Sequence, residues 1–111
     1  MIKDVVTFPD FVKLDLRVGT VKTAERIDGS ERLVKLGVDL GEEIGQREII
    51  AGIALQYDSS SLIGRQVAVL VNLEPKKMMG FESNGMVLAA GDSEIALLKP
   101  DKKLPEGTVI R

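Results

Sequence analysis

The chain has 111 residues, 44% hydrophobic and 29% charged, with a formal net charge of −2 and neither cysteine nor histidine. That length predicts one domain over residues 1–111, able to bury roughly two-thirds of its unfolded surface, and the composition argues against disorder. Without thiol or imidazole the chain lacks disulfides, the usual zinc ligands and a nucleophile-and-base pair, so no metal, no cofactor and no catalytic residue is expected.

The longest apolar run, Val67 to Val71, falls far short of the ~20 residues of a membrane span. The opening Met1-Ile2-Lys3-Asp4 lacks the apolar core of a signal peptide, and a cytoplasmic protein without membrane contact is expected.

In chain order, Thr7 is a candidate N-cap for a short helix with Pro9 and Asp10 in its first turn. Phe8, Phe11, Val12 and Leu14 mark its apolar side, which predicts a lid on the core. From Leu14 the pattern alternates through Leu16, Val18 and Val21, with Gly19 where a long first strand would bulge or bend. Val34, Leu36, Val38 and Leu40 repeat with period two, and Gly41 to Gly45 turns the chain into a third strand from Arg47 to Ile53. Asp58 or a following serine starts a short helix that ends at Gly64, before a strand from Gln66 to Leu73. Residues 86–90 and 94–98 read as a hairpin, and the tail carries Leu104, Val109 and Ile110 beyond it. Five core strands with a helix between the third and fourth predict an all-β OB-fold barrel, with an N-terminal helix and a C-terminal strand as appendages.

The chemistry concentrates between residues 72 and 90. Asn72, Lys76, Lys77, Met78, Met79, Ser83 and Met86 lie there with Pro75, Gly80, Asn84 and Gly85, which exclude a helix and predict a loop rising from the sheet. Lys76 and Lys77 suit phosphates, and the Asn72 amide suits loop positioning or a 2′-hydroxyl. Met78 suits an unstacked base or the barrel mouth, Ser83 a phosphate or the turn itself, and Met86 a position divided between core and ligand. Arg17 and Arg47, with Arg65, complete a candidate basic face, although Arg17 also has Asp15 and Asp39 as candidate ion-pair partners. A net charge of −2 requires such polarisation if the ligand is nucleic acid. Glu42 and Glu43 fall in a turn, and the serines from Ser59 to Ser61 have no histidine partner, so neither group suggests catalysis.

The run Ser83-Asn84-Gly85-Met86 matches the Ser-x-Gly-Met signature of the tRNA-binding domain found at the C-terminus of methionyl-tRNA synthetases, in free-standing tRNA-binding proteins and in the endothelial monocyte-activating polypeptide. Leu14-Asp15-Leu16-Arg17-Val18-Gly19 resembles that family's opening strand, whereas Ala51 stands where a serine often precedes the glycine. The resemblance covers nearly the whole chain. It implies a non-catalytic module that binds tRNA near its folded elbow, raises the affinity of an aminoacyl-tRNA synthetase for tRNA, and forms a homodimer through its flanking segments. The scarcity of aromatic rings agrees, favouring shape and phosphate contacts over serial base stacking. The alternative is a peptide-binding secretion chaperone of related OB fold, whose relatives tend to lose the signature. A saccharide-binding OB domain suffers from the absence of tryptophan.

Overall fold

The computed structural model describes every residue from Met1 to Arg111. In chain order its elements are α1 (Phe8–Val12), β1 (Leu16–Arg26), β2 (Val34–Asp39), α2 (Gly41–Ile44), β3 (Gln46–Ala51), α3 (Ser59–Leu62) and β4 (Gln66–Leu70). They continue with β5 (Lys76–Met78), β6 (Phe81–Ser83), β7 (Met86–Val87), β8 (Ala89–Gly91), β9 (Ile95–Leu97) and β10 (Val109–Ile110).

The main sheet runs β3-β2-β1-β4-β7, all antiparallel. The long strand β1 serves both halves: Leu16 to Thr20 pair with β4, and Thr20 to Arg26 pair with β2. Closure across the gap between β3 and the β6–β7 segment comes from the Asn84 N–H donating to the Glu48 carbonyl at 2.9 Å, and from a side chain described below. The result is a nearly closed five-strand barrel with α3 between the third and fourth strands, the OB-fold arrangement.

The alternation of β2 determines the inside of the barrel. Val34, Leu36 and Val38 are fully buried while Lys35, Gly37 and Asp39 face outward, and Ile49, Leu62, Val67 and Val69 fill the same interior. Each large apolar side chain removed from water here contributes about 1.5–3 kcal/mol. Gly19 remains in regular pairing opposite Val67, and the break in register falls instead between Val21 and Thr23. What requires glycine at position 19 is proximity: a Cβ there would lie 2.5 Å from Val38 Cγ1 and 2.9 Å from Leu40 Cδ2.

Three segments depart from the expectations. Helix α1 forms with its Thr7 cap, but none of its residues is buried and Phe8 is 74% exposed, so it is not a lid on this barrel. Residues 76–83 form a hairpin rather than a loop, turning through Met79 at φ 52° and Gly80 at φ 84°. Two positive φ angles in succession define the turn whose twist matches paired strands. Met86 and Val87 pair with β4, leaving the smaller hairpin of Ala89–Gly91 with Ile95–Leu97.

The tail lies on its own barrel. Val109 and Ile110 pair with Arg17 and Leu16, and the Val18 N–H donates to the Thr108 carbonyl at 2.9 Å. No helix is long and apolar enough to cross a membrane.

Candidate nucleic-acid interface

The eight side chains singled out in the sequence divide into two groups. Arg17, Arg47, Asn72 and Ser83 turn their polar atoms onto the protein itself, whereas Lys76, Lys77, Met78 and Met86 are presented at the surface of the hairpin and the strand that follows it.

Arg17 is 13% exposed in its side chain and clasps three segments. Its Nε donates to Asp15 Oδ1 at 2.7 Å, and its Nη1 donates to Glu43 Oε1 at 2.9 Å and to the Gly107 carbonyl at 3.2 Å. The hydrogen bond to Asp15, followed by that to Glu43, raises its pKa above the ordinary arginine value. Asp39 instead accepts the Gly41 N–H at 3.0 Å. Asn72 Oδ1 accepts the Asp15 N–H at 2.8 Å, while Nδ2 donates to the Lys13 carbonyl at 2.7 Å. The amide thereby pins the chain between α1 and β1 to the end of β4. Arg47 Nη1 donates to the Val71 carbonyl at 2.9 Å, tying β3 to the same end.

Ser83 is 5% exposed. Its hydroxyl accepts the Ile50 N–H at 2.9 Å and donates to the Gly85 carbonyl at 3.3 Å. An edge donor of β3 is satisfied by a side chain instead of a ladder partner, completing the closure of the barrel. Gly85 follows at φ +120°, where a Cβ would meet the Leu70 carbonyl oxygen at 3.0 Å.

The hairpin places its other groups around open space. Lys76 and Lys77 are exposed on β5, with Lys77 directly opposite Glu82 on β6. Phe81 lies on β2 with the Lys35 ammonium 4.4 Å from its ring centre, close enough for cation–π attraction. Lys35 also contacts Glu25 at 2.9 Å, a hydrogen bond that raises its pKa, with Glu48 adding to the effect.

Met78 and Gly52 share a shallow cleft of about 540 Å³ with the loop from Gly29 to Leu33. Met79, the one non-glycine residue with positive φ, reaches toward Gly29 across the same gap. On the other side, Met86 lines a mainly apolar cleft of about 280 Å³ with Ile50, Ile53, Val87 and Ile95. Gly52 borders both clefts, and nothing lies within 4 Å of a Cβ built on it. The cleft at Met86 is mainly apolar and the one at Met78 mixes polar and apolar groups, with Arg32 and Glu31 at its wall, and a thioether at either can pack on the face of a nucleobase.

Sequence reasoning missed Lys35 and Gly52. The outward phase of Lys35 in β2 was the available signal for the first. An exposed glycine just past a strand end was the signal for the second. Arg65, expected on the same face, lies elsewhere: its Nε donates to the Ser61 carbonyl at 2.9 Å and its guanidinium sits over Tyr57.

A family model described as "Putative tRNA binding domain" matches residues 16–109. Over 110 residues, 98% of its length, the chain is 54% identical to the methionine–tRNA ligase of Methanothrix thermoacetophila, and it is 53% identical over 97% of its length to that of Methanococcoides burtonii. It spans about 16% of the length of each of these curated relatives. Among solved structures, the MetRS related protein from Pyrococcus horikoshii superposes with a TM-score of 0.90 at 34% identity, covering 98% of this chain and 100% of that one. The chaperone CsaA from Bacillus anthracis superposes with a TM-score of 0.89 at 37% identity, covering 97% and 100%. A match that begins at the first residue of β1 and ends in β10, with such identity over nearly the whole length, means that this chain belongs to the family described as the putative tRNA binding domain.

Proposed function

We propose that residues 1–111 form one tRNA-binding unit, which holds the folded RNA by shape and phosphate contacts near its elbow and raises the affinity of methionyl-tRNA synthetase for tRNA. The observation that carries this reading is the 76–83 hairpin, which presents Lys76, Lys77 and Met78 beside a cleft. High identity to methionine–tRNA ligases over nearly the whole chain supplies the synthetase connection. The chain itself would not aminoacylate, and a cytoplasmic setting follows from the same kinship.

Salt-dependent titration with total tRNA tests the reading. Binding should weaken steeply as salt rises, because each phosphate neutralised releases counterions. Failure to retain tRNA at low salt would overturn it.

A homodimer is part of this proposal. Ile2, Val5, Val6, Phe8 and Val12 are exposed near the N-terminus, and an apolar groove of about 410 Å³ lies between Val18, Ala68, Leu98, Leu104, Val109 and Ile110. A second copy would cover both surfaces and double the RNA-contacting area. Light scattering at micromolar concentration decides the matter: a mass near 12.1 kDa would defeat the dimer.

The second reading, a peptide-binding chaperone, is favoured by the likeness to CsaA and by the apolar cleft at Met86. Binding of an unfolded polypeptide in place of tRNA would support it.

A further inference from the structure

The tRNA-binding reading leaves an electrostatic deficit. The stretch from Glu74 to Glu82 carries Lys76 and Lys77 but also those two glutamates, and Lys77 faces Glu82 across the hairpin. Its net charge is zero. Beneath it, Lys35 is flanked by Glu25 and Glu48. Phosphate neutralisation, which supplies most of the affinity of sequence-tolerant binders, therefore needs another surface.

Such a surface lies where α3 leads into β4. A cleft of about 320 Å³ is lined by Arg65, Lys99, Lys102 and Lys103, together with Gly64, Gln66, Pro100 and Asp101. Four cations meet one carboxylate there. None of the four cations takes part in an ion pair; those of the molecule involve Lys13, Arg17 and Lys35.

The basic segment is also held in place. The Gln66 amide grips the backbone of Leu104 from both ends, donating to its carbonyl at 2.7 Å and accepting its N–H at 3.0 Å, and Gln66 also donates to Thr20 Oγ1 at 3.2 Å. Lys102 and Lys103 are thus anchored beside β4. Arg65 is oriented by its bond to Ser61 and by the Tyr57 ring, 5.2 Å from the guanidinium carbon, so its terminal N–H groups remain available. In sequence the segment Pro100-Asp101-Lys102-Lys103 has the same character as Pro75-Lys76-Lys77, a lysine pair set off by proline.

We propose that Arg65, Lys102 and Lys103, with Lys99 at the border shared with the apolar groove, form a second phosphate-contacting surface, which engages the backbone of the same RNA that the hairpin holds. The proposal rests on the tRNA-binding reading and extends it. The two surfaces share no lining residue. Thr20, whose hydroxyl accepts from Gln66 behind the second surface, and Glu25, which pairs with Lys35 under Phe81, are separated by up to about 16 Å along β1. A ligand that reaches both is an extended polyanion rather than a single phosphate.

The test is tRNA filter binding by the full chain across a salt series. Lys102→Glu/Lys103→Glu is compared with Lys3→Glu/Lys22→Glu, which makes the same change in net charge elsewhere, and melts and light scattering establish that all variants are folded and keep the wild-type mass. The Lys102→Glu/Lys103→Glu variant should bind at least about fivefold more weakly at low salt and lower the slope of log affinity against log salt by about 1.5, while the control keeps the wild-type slope. Equal slopes for the two variants would overturn the second surface and leave the tRNA reading intact. No binding by wild type would remove both. Loss of binding to phosphatidylserine vesicles with tRNA affinity unchanged would also overturn the proposal, assigning the cations to a membrane surface.

Discussion

The Ser83 hydroxyl accepts the buried Ile50 N–H at 2.9 Å, so a side chain supplies a bond that closes the barrel between β3 and β6. Of the two uses that the sequence leaves open for this hydroxyl, a phosphate or the turn, the bonds within the protein go to the turn and to the barrel. Ser83→Ala leaves the Ile50 N–H without a partner and should cost about 1–3 kcal/mol of stability. Urea denaturation checks this, and an unchanged midpoint would show that water replaces the hydroxyl at no cost.

Met86, expected to divide its side chain between core and ligand, is 44% exposed and borders the apolar cleft. Met86→Ala should therefore shift stability by less than about 1 kcal/mol, in place of the roughly 2 kcal/mol of a half-buried methionine. Its effect belongs in binding: tRNA affinity should fall by a factor of several. A large drop in melting temperature with unaltered affinity would assign Met86 to packing.

Lys77 stands opposite Glu82 in the hairpin register. Lys77→Glu should weaken tRNA binding at least about tenfold, partly by repelling phosphate and partly by setting two carboxylates side by side. The double variant Lys77→Glu/Glu82→Lys restores the cross-strand pair. Full recovery of affinity in the double variant would mean that only hairpin geometry matters, whereas recovery of stability alone would assign position 77 to the RNA.

Gly19→Ala places a methyl group against Val38 and Leu40 in the closed interior. Overpacking of this kind should cost about 1–3 kcal/mol. A combined Gly19→Ala/Val38→Ala variant makes room for the new methyl, and should lose less than the sum of the two single losses. Strict additivity in denaturation midpoints would argue that strand twist, not contact, is the reason for glycine.

The barrel was legible in local pattern alone. Period-two alternation from Val34 to Leu40 is a local property, and so are the glycines that end α3 and turn the hairpin and the proline that excludes a helix before it. These led to the five core strands, to the helix between the third and fourth of them and to the lysine-rich segment that became the hairpin. The family resemblance carried by Ser83-Asn84-Gly85-Met86 and by the opening strand is borne out by the match over residues 16–109.

Which polar side chains face the protein and which face solvent was settled by contacts between distant segments. Ser83 meets Ile50, 33 positions away, and Asn72 meets Asp15 across 57. Such pairings depend on barrel shear and register, to which a residue's neighbours in the chain give no clue. The same holds for α1, whose apolar face reads as core by pattern and lies exposed, because the barrel's interior is already filled by Leu36, Ile49, Leu62 and Val67. It holds as well for the cations of the tail: Lys99, Lys102 and Lys103 converge on Arg65 only because Gln66 fastens Leu104 to the start of β4.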